Sequence, residues 1–261
     1  MNTLKIMLSL LFASSLMACG GGSGSNSGDE TLELGDGGSS SLITGINGKS
    51  IAIDTIELLG VLLELKDDLN VSIEAPVGGG CSGGGKKTVN SGSAGSFDIN
   101  YEACTDSIGG LTFTINGPLS VVIQGDSKKL SGGPLAVHDG QGTWTLSDIK
   151  LDLKTVENVN RLSVDLSMEG RSRFNLKAKA VSTEPFTGPN LVCPDSGKLT
   201  LTATDGSTVS INGVPGVNLL LDIHKKDQID DQAEHQTLGC SEIAINQEPL
   251  GSGGLAPPGA P

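Results

Sequence analysis

A chain of 261 residues, 36% apolar but only 3% aromatic, is long enough for one large domain or two small ones with a real core. Seventeen basic against 30 acidic residues give a formal charge of −13, which excludes nucleic acid and other polyanions as partners. Thirty-eight glycines exclude a mainly helical protein and favour strands joined by loops.

The chain opens with a single cation, Lys5, before the predominantly apolar stretch Ile6 to Ala18. Those 13 residues suit a signal peptide and are too few to cross a bilayer. The stretch ends in Leu16-Met17-Ala18-Cys19, which resembles the cleavage and lipidation signal of bacterial lipoproteins. The resemblance implies removal of residues 1–18 and attachment of lipid, palmitate included, to Cys19. An Asp after the modified Cys favours inner-membrane retention in that family. Gly20 stands there instead, so the implied address is the outer membrane of a Gram-negative envelope. The mature chain then keeps 16 basic and 30 acidic residues, a charge of −14.

Residues 19–40 read as the lipidated Cys and a flexible Gly/Ser linker, and residues 248–261 as a disordered tail. Between them, residues 41–247 form one expected domain. Asn47-Gly48 suggests a hairpin turn. Asp54 with Glu57 three residues on resembles a capping box, predicting one short helix over residues 55–66. Leu58, Val61 and Leu65 beside Ile56, Leu59, Leu62 and Leu63 make that helix apolar nearly all round, hence buried.

After residue 70 the period becomes two. Phe97, Ile99 and Tyr101, then Leu111, Phe113 and Ile115, alternate with polar residues; so do Ile149, Leu151 and Leu153, Leu162 to Met168, and Val217 to Ile223. Ten to fourteen strands fit, with Asn116-Gly117, Asp205-Gly206 and Asn212-Gly213 as turns. The expected fold is mainly β: a large twisted antiparallel sheet, able to curl into a barrel or half-barrel, with one N-terminal helix on its apolar face.

Cys81, Cys104, Cys193 and Cys240 remain after Cys19 is lipidated, and an oxidising compartment favours two disulfides. Of three pairings, Cys81–Cys104 with Cys193–Cys240 closes the shortest loops. None has a Cys or His within four residues, so no metal site is expected from them. Cys104-Thr-Asp-Ser and Cys193-Pro-Asp-Ser also suggest either a duplication or two turns using the same chemistry, each leaving a cysteine to enter a strand.

Arg171, Arg173, Lys177 and Lys179 alternate along a strand and offer a patch for an anionic ligand. A hairpin through Gly170 would place Asp165 opposite Arg173 and Ser167 opposite Arg171, so cross-strand pairing explains the stripe equally well. His224, Asp227, Asp231 and His235, with Asp230 and Glu234 nearby, have helical spacing suited to a cation, or to an ordinary surface loop. His138-Asp139 reads as a surface turn.

Gly78 to Gly83 matches G-x-G-x-x-G only through glycine density, and Ser147-x-x-Lys150 lies on a predicted strand rather than the helix such a catalytic pair needs. No acid, base and nucleophile converge. The expectation is therefore a non-enzymatic envelope module without cofactor, held to a membrane by lipid and contacting envelope proteins or lipids. The alternative is a carrier whose half-barrel encloses a lipid or other hydrophobic ligand. A filled interior favours the first, and an apolar cavity of several hundred cubic ångströms the second.

Overall fold

The computed structural model describes residues 42–67, 79–93, 95–157, 159–171, 175–216, 218–226 and 232–243. Cys19 and the residues read above as signal peptide, linker and C-terminal tail lie outside these residues.

The apolar run after Asn47 becomes one helix, α1, over Gly48–Asp67. It begins seven residues before its predicted start and takes in the Asn47-Gly48 pair that suggested a hairpin. The Asn47 Oδ1 accepts the Thr44 N–H at 2.7 Å, and the Ile51 N–H donates to the Asn47 carbonyl at 2.9 Å. Gly48 serves close approach: a Cβ there would stand 2.6 Å from the Ile223 Cδ1. Asp54 is correspondingly a buried residue inside the helix and not its cap. Ile51, Ala52, Ile56, Leu59, Val61, Leu62 and Leu63 are each at most 3% exposed, so the helix is buried except along the half-buried line of Lys49, Ile53, Glu57 and Glu64.

Among the described residues thirteen strands follow: β1 Gly79–Gly80, β2 Lys86–Ser91, β3 Ser96–Ile108, β4 Leu111–Gln124, β5 Ser127–Gly132, β6 Leu135–His138, β7 Thr143–Val156, β8 Val159–Arg171, β9 Asn175–Gly188, β10 Ser196–Ala203, β11 Thr208–Gly213, β12 Asn218–His224 and β13 Glu234–Gly239. All pair antiparallel in one sheet, in nearly sequential order. The exception is the place between β4 and β7, where β5 and β6 share one strand position. β5 pairs with Leu119–Gln124 of β4, and β6 with Thr114–Asn116 of the same strand. Both then pair with β7. A ring of hydrogen bonds thus runs through four strands, caused by one broken strand and not by closure of a barrel.

Bulges bend the sheet in β3 between Tyr101 and Cys104, in β7 between Ser147 and Lys150, and between β8 and β9 after Leu162. Asn116-Gly117 belongs to the first of these rather than to a turn. It lies within β4, where the Asn116 Oδ1 accepts the Ala103 N–H of the bulge at 2.6 Å. Asn212-Gly213 likewise stays in β11, opposite Leu220 and Leu219, and the turn comes after it. Asp205-Gly206 does form the β10–β11 turn.

Strand alternation puts one apolar face inward throughout. From Ile99 in β3 to Leu238 in β13, the central inward side chains are 0 to 6% exposed. They form a single cluster with α1. Three contacts fix the start of the helix: the Ile43 N–H donates to the buried Ser207 Oγ at 2.8 Å, the Gln236 Nε2 to the Gly45 carbonyl at 2.7 Å, and the Lys49 Nζ to the Glu242 Oε1 at 3.0 Å.

Candidate functional site

With the inward face filled by apolar side chains, any chemistry of the described domain belongs to its outer face and its ends. Register lines up the outward residues. One row crosses the sheet through Asn90, Asp98, Ser120, Ser131, Lys150, Asp165, Val181, Thr200, Ser210, Asp222 and His235, each the direct partner of the next. Short hydrogen bonds join several members: Ser120 Oγ to Asp98 Oδ1 at 2.6 Å, Thr200 to Ser210 hydroxyls at 3.0 Å, and His235 Nδ1 to Asp222 Oδ1 at 2.7 Å. A second row runs Ser147, Ser167, Lys179, Thr202, Thr208 and His224.

The two disulfides are Cys81–Cys104 and Cys193–Cys240. The first ties β3 to the loop before β2, where the Ser82 N–H and Oγ both donate to Asp106 Oδ1, at 2.7 and 2.6 Å. The second ties the β9–β10 loop to the 3-10 turn Cys240–Glu242 after β13. The two Cys-x-Asp-Ser segments differ in setting. Cys104 to Ser107 lie inside β3, whereas Ser196 opens β10. The first therefore does not leave a cysteine to enter a strand, and the two segments sit in unlike places.

The cationic stripe falls in a different register from the one a hairpin through Gly170 would give. β8 continues through Gly170 to Arg171, which pairs with Asn175 at the start of β9. Glu169 consequently faces Lys177, Ser167 faces Lys179, and Asp165 faces Val181. Lys177 lies 3.3 Å from Glu169, and Lys179 lies 3.1 Å from Asp165 on the diagonal. These two lysines are thus engaged by carboxylates of the neighbouring strand, with Arg173 outside the described residues. Both pairs are largely exposed and are worth at most about 1 kcal/mol each.

The histidine cluster is not a helix face. His224 ends β12 and His235 lies in β13. Asp222, which spacing did not single out, is the carboxylate that holds His235, and it also accepts the Asn212 Nδ2 at 2.9 Å. Asp227, Asp230 and Asp231 lie outside the described residues. His138-Asp139 forms a turn in which Asp139 Oδ1 accepts the N–H groups of Gln141 and Gly142, both at 2.8 Å.

The chain matches no family model, no curated protein and no solved structure.

Proposed function

We propose that this chain is a non-enzymatic envelope module, held by lipid on Cys19 at the outer membrane and acting through contacts made by its polar outer face. The observation that carries this reading is the filled interior. Inward residues that would line a cargo cavity, such as Leu119, Leu166, Leu201 and Leu221, are 0 to 3% exposed, and α1 packs among them. A carrier needs an open apolar concavity at that place. The likeness of Leu16-Met17-Ala18-Cys19 to a lipidation signal supports the tether, and the two disulfides suit an oxidising compartment outside the cytoplasm.

Photo-crosslinking in the native envelope tests the proposal at paired positions on the two faces of β10. An outward crosslinker at Thr202 is expected to capture a discrete envelope component, and the capture to disappear when Cys19 is replaced by Ser. An inward crosslinker at Leu201 is expected to give only internal adducts. Lipid adducts at Leu201 would instead favour the carrier.

A further inference from the structure

The outer face is not uniformly neutralised. Between β4 and β9, the bulges of β7 and of the β8–β9 ladder hollow it into an open groove of about 550 Å³, whose lining includes Val122, Lys129, Lys150, Asp152, Asp165 and Val181. Volumes of this order accommodate small organic ligands.

The charges in the groove are arranged unequally. Lys129 is the direct cross-strand partner of Asp152, and Lys150 of Asp165. Neither pair forms an ion bridge. Asp152 instead lies 3.5 Å from Lys154, two residues along its own strand, and accepts the Ser127 Oγ at 3.3 Å. Asp165 turns to Lys179, 3.1 Å away. Both acids are therefore matched by cations other than the groove's own lysines. Among the described residues, Lys129 and Lys150 have no hydrogen-bond or ion-pair partner. They are diagonal neighbours on one face, about 7 Å apart at their α-carbons by ladder geometry. Two lysines at diagonal positions repel each other where their ammonium groups approach, and an anion held between them relieves that repulsion. Val122 and Val181, both outward and half-buried, supply apolar surface at opposite sides of the groove.

We propose that this groove binds a small amphipathic anion, its carboxylate or phosphate head on Lys129 and Lys150 and its apolar body against Val122 and Val181. Unlike Lys177 and Lys179 of the Arg171 to Lys179 stripe, these lysines are engaged by no carboxylate among the described residues. The inference is independent of the lipid anchor.

Titration of the full chain carrying Cys19→Ser with monomeric decyl phosphate tests it. Saturable one-to-one binding is expected, weakened at least tenfold in a Lys129→Met, Lys150→Met variant and by added salt. In the unsubstituted groove, affinity should also rise from hexyl to decyl phosphate, a trend that needs no groove variant to fold. Equal binding by the double variant, or by uncharged decyl maltoside, would overturn the role of the lysines. Inorganic phosphate binding as tightly as decyl phosphate would overturn the apolar half. Capture by anionic vesicles without binding of the monomer would overturn the choice of a free ligand over a membrane surface.

Discussion

The indole of Trp144 lies against Gly170, its direct partner across β7 and β8, where any Cβ would fall among the ring atoms Cε3, Cδ2 and Cζ3. Gly170 is thus a packing residue inside a strand, and the glycine makes room for the largest buried side chain in the described domain. Gly170→Ala forces the ring or the strand to move, at a cost of about 1–3 kcal/mol. Denaturation followed by far-ultraviolet circular dichroism measures this cost with or without Trp144, the chain's one tryptophan. In a Trp144→Leu background the same substitution should cost much less; equal costs would show that the two residues do not couple.

Ser207 joins the β10–β11 turn to the segment that enters α1. It is fully buried, accepts the Ile43 N–H at 2.8 Å and donates to Asp205 Oδ1 at 2.6 Å. Ser207→Ala leaves that buried N–H without its acceptor and should cost about 1–3 kcal/mol. Amide exchange at Ile43 should speed up while exchange in central β8 changes less. Unchanged protection at Ile43 would contradict the tie.

Each disulfide restricts the unfolded chain, closing loops with sequence separations of 23 and 47 residues. Replacing either pair by Ala should cost about 3–4 kcal/mol, more for Cys193–Cys240 on the loop-entropy account. Non-reducing peptide mapping should recover Cys81 with Cys104 and Cys193 with Cys240. A Cys104–Cys193 peptide would refute the pairing.

Alternation made the strands legible, because each buries one face: Ile149, Leu151 and Leu153 point inward as their spacing implies. The disulfides were legible as the shortest loops. Asn47-Gly48 and Asn116-Gly117 misled because the same two letters serve a tight turn, a close helix–strand contact and a β-bulge. What decides among these is the element packed alongside, Ile223 for Gly48 and the β3 bulge for Asn116. The partners of Lys177 and Lys179 depended on where β8 ends, which placing Gly170 at a turn moved by several residues. The groove was less legible still. Lys129 and Lys150 become neighbours only when β5 pairs with β7 across the intervening β6, a long-range register that no local pattern records.

Glu242 couples stability to pH. The Lys49 ammonium, then the Gly239 N–H, hold its carboxyl below the ordinary 4.5 by hydrogen bonding. A carboxyl whose folded value is depressed stabilises fully above its unfolded value and loses that contribution as pH falls through the folded one. Glu242→Gln should therefore lower the thermal midpoint at neutral pH, and the gap should close as the pH falls below 4.5. A gap that stays constant with pH would contradict the assignment. Glu242 is 45% exposed at its side chain, so the effect is small and weakens with salt.

Replacing Cys19 by Ser in the native host tests the proposed tether most directly, through lipid labelling and membrane fractionation. Both the label and recovery in the membrane fraction are expected to vanish while the β domain stays folded. Recovery in the membrane fraction without lipid on the chain would contradict the claim.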